Sequence, residues 1–100
     1  SGSGPAYVFL LAEAMQAAGE AQGLAPDTAR RLVIQTLLGA SRMLDESGDA
    51  AAVLRQRVTS PGGTTQAALE SFEAGGFRTL VDQAIAAATR RGRELAAGNP

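Results

Sequence analysis

The chain has 100 residues with a formal net charge of −1, and 45% of its residues are hydrophobic. This length fits a single domain, and the near-neutral charge excludes a protein that binds nucleic acid through a strongly basic surface. Lys, His and Cys are absent, which excludes Schiff-base lysines, imidazole bases, thiolate chemistry and the usual zinc sites. No apolar run reaches the roughly 18 residues that cross a bilayer. We therefore expect no metal, no nucleic-acid or membrane partner and a cytoplasmic location.

The spacing of apolar residues predicts an all-α fold with about five helices and no strand. The predicted helices cover about 6–22, 26–47, 50–58, 65–74 and 77–96. Pro26 suits the first turn of the second helix, while Gly23 and Gly48 are good residues to end a helix. We expect Phe72 to point inward from the fourth helix, and Arg78 to pair with Asp82 one turn later in the fifth.

Two helices carry more apolar residues than a small monomer can cover. Four consecutive apolar residues, Val8 to Leu11, make the start of the first helix apolar on all sides. The second helix has a wide apolar stripe from Leu32 to Leu44, and Gly39 inside it suggests that another helix approaches closely. These features favour an oligomer, most simply a dimer with interleaved helices. The alternative is a monomeric bundle around an apolar central helix.

The segment from Thr59 to Thr65 is the one part of the chain whose composition favours a binding site. Pro61 and two glycines form a turn immediately before a helix. The first N–H groups of a helix have no partner inside it, so they can bind a carboxylate or phosphate. The alternative is an ordinary connection in which Thr64 or Thr65 only caps the helix.

Other polar residues give weaker indications of function. Glu13 lies on a largely apolar helix, and Tyr7 could supply a phenol, but both are typical of solvent-facing or packing positions. Arg90, Arg91 and Arg93 suit the negative end of the last helix. None of these residues forms a recognisable catalytic set.

Several segments together resemble the C-terminal domain of pyrroline-5-carboxylate reductases. They are residues 1–9, Gln35–Ala40, the run Val-Thr-Ser-Pro-Gly-Gly-Thr-Thr at 58–65, and Gly75–Arg78, in matching order from Ser1 to about Leu95. The resemblance implies an interlocked helical dimerisation domain spanning 1–100, in a homodimer that some members assemble further. It also implies an enzyme that reduces 1-pyrroline-5-carboxylate to L-proline with NADPH or NADH, the last step of proline biosynthesis.

The resemblance also assigns roles in the loop. Substrate would bind at the dimer interface against Ser60, Gly63, Thr64 and Thr65, with its carboxylate on backbone N–H groups. Thr65 would be the catalytic residue, with its hydroxyl near the ring nitrogen as a hydrogen-bond partner or proton conduit. In this family the N-terminal Rossmann domain binds the nucleotide. This chain has no strand followed by Gly-x-Gly-x-x-Gly, so the cofactor residues are unknown and the chain alone is expected to be inactive.

Two other functions remain open. The chain could be a stand-alone helical interaction module. In that case no nucleotide-binding βαβ unit would be encoded upstream of it. It could also be the helical domain of a related dehydrogenase that acts on another small acid. The Thr-Ser-Pro-Gly-Gly run argues against that second possibility, because it resembles the pyrroline family in particular.

Overall fold

The computed structural model describes residues 2–98, and in that range it contains five α-helices and no strand. The helices are α1 (Gly4–Ala21), α2 (Pro26–Ser47), α3 (Ala51–Arg57), α4 (Thr64–Ala74) and α5 (Phe77–Ala96). The predicted all-α class is confirmed, and the bounds of α2 and α5 are those the sequence predicts. Ser1, the first residue of the segment used in the resemblance, lies outside the described residues.

The chain divides into two compact units, Ser1–Leu54 and Arg55–Pro100. In the first, α1 and α2 pack against each other as a helical hairpin. α1 ends in a Schellman motif: the N–H of Leu24 donates to the carbonyl of Gly19 (3.1 Å), and the N–H of Gly23 donates to that of Glu20 (3.0 Å). Gly23 takes the positive φ of +106° that this motif needs. The small residues Gly19 and Ala29 bring the two helices together, and Ala29 is only 1% exposed.

The second unit contains α4 and α5, which contact each other across a tight turn. Gly75 and Gly76 form the turn, and Gly76 has φ +80°. The rings of Phe72 and Phe77 meet edge to face with their centroids 5.1 Å apart. Arg78 Nε donates to both carboxylate oxygens of Glu73, at 3.0 and 2.9 Å. The expected pair of Arg78 with Asp82 is therefore wrong. The turn between α4 and α5 places the Glu73 carboxylate beside the guanidinium, and Arg78 pairs with it instead.

Most large apolar side chains are exposed. Among residues 2–98 the buried apolar residues are Ala29, Val33 and Leu54, whereas Phe9 is 70% and Leu10 is 67% exposed. The accessible surface is 7789 Å², although even two separate compact proteins of half this mass would together expose only about 6400 Å². The prediction that Phe72 points inward is also wrong within this chain, since its side chain is exposed and its ring packs against that of Phe77.

Gly39 shows the same lack of partners within the chain. A Cβ atom built on it would meet no atom within 4 Å, so the close helix contact predicted there is not made by the described residues. The apolar surface favours the oligomer over the monomeric bundle. None of the described helices combines the length and apolarity that crossing a membrane requires.

We expect Gly23→Ala to lower the free energy of unfolding by about 1 kcal/mol, because an L side chain is strained at this positive φ. Gly19→Ala is the matched control: its new methyl would lie 3.4 Å from Leu24 Cδ1 and 3.5 Å from Ala29 Cβ, ordinary contact distances. It should leave stability unchanged or raise it by up to about 1 kcal/mol. Urea denaturation at one protein concentration measures both, and equal losses would contradict this account of the turn.

We expect the chain to sediment at micromolar concentration as a dimer, at twice its mass of 10.2 kDa. Leu10→Glu should dissociate the dimer, because it places a charge on the apolar surface of α1. The circular dichroism spectrum should stay helical, since Leu10 is 67% exposed and is not buried within the chain. Thr28→Glu adds the same charge in the first turn of α2 and should leave the dimer intact. A wild-type chain that sediments only as a monomer would contradict the prediction.

Candidate functional site

The segment that precedes α4 folds as a tight turn. The N–H of Gly63 donates to the carbonyl of Ser60 over 3.0 Å. Pro61 occupies the second position of this turn, and Gly62 occupies the third with φ +72°. Proline followed by a residue of positive φ is typical of a type II turn. The Pro-Gly-Gly sequence therefore makes the turn that its composition predicts.

The turn is followed directly by α4. Gly63 is the N-cap residue in an extended conformation, with φ −88° and ψ −178°, and no side chain caps the helix. The first N–H of the ladder is that of Ala67, which donates to the carbonyl of Gly63 over 3.2 Å. Within residues 2–98 the N–H groups of Thr64, Thr65 and Gln66 have no acceptor. Three adjacent donors at a helix N-terminus can bind an oxyanion.

The cap position tests whether a threonine caps α4. Because Gly63 is the N-cap, Thr64 and Thr65 are the first and second residues of the helix. The alternative in which a threonine caps α4 is therefore wrong. The side chain of Thr65 is half-buried, and its hydroxyl makes no hydrogen bond to any other residue of the described range. This hydroxyl is left available for a ligand.

Gly63 contributes space rather than a donor. Its N–H is used within the turn, so it does not add to the three free donors. A Cβ atom on Gly63 would lie 3.2 Å from the carbonyl oxygen of Ser60 and 3.4 Å from its Cβ. The first of these distances is shorter than a relaxed contact allows. A side chain at position 63 would therefore push the Ser60 carbonyl out of its place in the turn by a few tenths of an ångström.

Ser60 and Thr59 make different hydrogen bonds in the loop. Ser60 supplies the turn carbonyl, and its side chain is exposed. Thr59 Oγ1 donates instead to the carbonyl of Arg55 over 2.5 Å, which ties the loop to the end of α3. No residue from Val58 to Leu69 carries a charge. An anion held here would be bound by backbone dipoles and hydroxyls alone.

Gln66 is a residue that the sequence analysis missed. Its Oε1 accepts a hydrogen bond from the N–H of Gly62, so the side chain reaches back from the first turn of α4 to the loop. The signal was present in the sequence, because a Gln or Glu three residues after an N-cap is typical of a capping box. The bond differs from that of a capping box, because Gln66 accepts from Gly62, one residue before the N-cap Gly63, and the glycine N-cap has no side chain to return a bond.

The remaining candidate residues lie on α1 and α5. Glu13 is exposed, and Tyr7 Oη is 2.8 Å from Ser3 Oγ at the start of α1. Arg91 pairs with Glu94 over 3.0 Å in the last turns of α5. Within residues 2–98, no group of three or more acidic side chains is arranged to hold a metal ion.

A family model described as pyrroline-5-carboxylate reductase dimerisation matches residues 1–95. The chain belongs to this family. The pyrroline-5-carboxylate reductase of Pseudomonas aeruginosa is 58% identical over 96 residues, which are 96% of this chain and 35% of that protein. That of Arabidopsis thaliana is 48% identical over 95 residues, which are 95% of this chain and 34% of that protein. The chain thus spans about a third of the length of these relatives.

Two solved structures share the fold. The pyrroline-5-carboxylate reductase of Coxiella burnetii superposes with a TM-score of 0.90 at 50% identity, covering 93% of this chain and 34% of that one. The pyrroline carboxylate reductase of Plasmodium falciparum, solved with NADP bound, gives a TM-score of 0.88 at 37% identity. It covers 91% of this chain and 35% of that one. The resemblance inferred from the sequence motifs is confirmed at the level of family.

Gly63→Ala should lower the free energy of unfolding by about 1–3 kcal/mol, since the new methyl presses on the Ser60 carbonyl. Gly92→Ala, inside α5, is the control, because a Cβ there meets nothing within 4 Å. That control should gain up to about 1 kcal/mol from helix propensity. Thermal unfolding of both variants checks the difference, and a neutral Gly63→Ala would contradict the steric account of the turn.

Proposed function

We propose that this chain is the dimerisation and substrate-binding domain, residues 1–100, of an enzyme that reduces 1-pyrroline-5-carboxylate to L-proline with NADPH or NADH. The proposal rests on the three N–H groups at the N-terminus of α4 and the Thr65 hydroxyl beside them, none of which has a partner among residues 2–98. Relatives at 48–58% identity are named for this reaction. Proline biosynthesis in the cytoplasm is the cellular setting that we propose with it.

The substrate has the two chemical features that this site can recognise. Its carboxylate matches the N–H groups of Thr64 and Thr65, which bind an anion without a charged side chain. Its ring nitrogen must hold a proton for the imine to be reduced. The hydroxyl of Thr65 can donate or accept a hydrogen bond, and we assign it to this nitrogen. Ser60 would line the same pocket, and Gly63 keeps the backbone open to the ligand.

The chain's part in the reaction is positioning. A cyclic imine held at its carboxylate and its ring nitrogen is fixed in orientation. Fixing the orientation of the reacting group lowers the activation free energy of the reduction. We propose that other residues hold the nicotinamide nucleotide, because residues 2–98 contain neither a strand nor a Gly-x-Gly-x-x-Gly turn. The nucleotide of the proposed enzyme is therefore assigned to a part of the protein other than these residues.

The proposed partner is a second copy of the chain. The family model is one of dimerisation, and the exposed apolar side chains of α1 and α2 offer the surface for it. We place the substrate near this interface, and assembly of dimers into larger rings is compatible with it.

The proposal can be tested in a graft in which this chain replaces the matching C-terminal third of the Pseudomonas aeruginosa relative. The graft should form proline from pyrroline-5-carboxylate. Thr65→Ala in it should lower kcat/KM by about 10- to 1000-fold, or roughly 1.4–4 kcal/mol, the range for losing a positioned hydrogen bond or proton-transfer group. Thr65→Ser keeps the hydroxyl and should restore much of the rate.

Thr59→Ala is the matched control, because that hydroxyl is already bonded to Arg55, and its effect should be milder. The melting temperature of Thr65→Ala should change little, since this residue does not cap α4. A graft that is active and unaffected by Thr65→Ala would refute the substrate-site assignment. A dimeric graft with no reductase activity would favour the stand-alone helical interaction module instead.

A further inference from the structure

Gln66 links α4 to the turn before it. It is the third residue of α4, and its Oε1 accepts the hydrogen bond from Gly62 N–H. We propose that Gln66 is a positioning residue for the substrate loop: it locks the turn in one of two conformations and so determines which N–H groups remain for the carboxylate. This inference rests on the proposed function, since it concerns the same site.

The lock follows from turn geometry. Types I and II of a four-residue turn share the bond between its first carbonyl and its fourth N–H, and they differ by rotation of the central peptide. Here the shared bond is that of Gly63 to Ser60, and the central peptide is the one that joins Pro61 to Gly62. Its N–H is the group that Gln66 binds. The side chain therefore holds the peptide in the orientation seen here, with Gly62 at φ +72°.

The hydrogen bond from Gly62 to Gln66 also determines which N–H groups of the loop remain without an acceptor. Of the five consecutive N–H groups from Gly62 to Gln66, the first donates to Gln66 Oε1 and the second to the Ser60 carbonyl. The remaining three, all in the first turn of α4, have no acceptor in the described range. Without the Gln66 acceptor, the first group would be a competing donor on a peptide that can rotate. A ligand carboxylate would then meet several loop conformations instead of one.

A carboxamide suits this position better than a carboxylate does. Glutamate could accept the same hydrogen bond, but it would place a negative charge beside the donors that hold the substrate's carboxylate. Glutamine supplies the acceptor without the charge, in a segment that has no charged residue from Val58 to Leu69. Gln66→Glu would therefore keep the hydrogen bond that holds the loop but weaken binding of the anion, so the two effects can be measured separately.

The first test follows the Gly62 amide in the full 100-residue chain by nuclear magnetic resonance. Gln66→Met keeps the length of the side chain but removes the acceptor, and it should speed hydrogen exchange at Gly62 by about tenfold or more. Gln66→Glu should keep this amide protected. Gln83→Met and Gln83→Glu, on the exposed surface of α5, are the matched controls and should leave Gly62 unchanged. Unchanged exchange in Gln66→Met would overturn the lock.

The second test measures kinetics in the graft described above. Gln66→Met should raise KM for pyrroline-5-carboxylate by about three- to tenfold with kcat nearly unchanged. Gln66→Glu should raise it by about tenfold or more despite an intact loop, and added salt should reduce that effect. A purely structural glutamine would behave differently: Gln66→Glu would restore both stability and KM, and that result would overturn the proposal.

The two tests also separate this inference from the proposed function. If Thr65→Ala impairs the graft but Gln66→Met has the same KM as Gln83→Met, the substrate site stands and the positioning role of Gln66 is wrong. If Gly62 exchange responds to Gln66 while neither Thr65→Ala nor Gln66→Glu changes any kinetic constant, the proposed function fails, and the role of Gln66 toward a substrate fails with it.

Discussion

The structure depends on apolar surface that the chain does not bury within itself. Its helices are well formed, but the side chains along α1 and α2 that should provide a core lie exposed, with Phe9 and Leu10 more than half open to solvent. Helices gain most of their stability in proteins from packing an apolar face. Such a chain needs a partner surface of the same chemistry, and a second copy supplies one. Membership of a dimerisation family agrees with this constraint.

The candidate site uses backbone chemistry where many binding sites use charge. All three N–H groups in the first turn of α4 lack an acceptor within residues 2–98, since a glycine, not a Ser or Asp, occupies the N-cap. A side-chain cap would have taken one of these N–H groups. The absence of Lys and His is therefore compatible with recognition of an anion, since helix N-termini bind anions through their N–H groups and dipole.

Glycines have different roles in the two units. Gly19 allows α1 and α2 to approach, Gly23 and Gly62 supply positive φ, and Gly63 leaves room for the Ser60 carbonyl. Gly39 has no such explanation in the described chain. Its position on α2, whose apolar side chains are largely exposed, is the position expected for contact with another chain.

The sequence by itself determined the five helices, the glycines that end α1, α2 and α4, and the turn before α4, because these features arise from interactions between residues a few positions apart. The family motif also indicated the loop from Ser60 to Thr65 as the site. Only the tertiary structure decided that Gly63 rather than a threonine is the N-cap, that Gln66 holds Gly62, and that Arg78 pairs with Glu73. Each of these depends on the direction the chain takes through a turn. Spacing along one helix does not specify that direction. Arg78, which periodicity would pair with Asp82 within α5, therefore pairs with Glu73 across the turn.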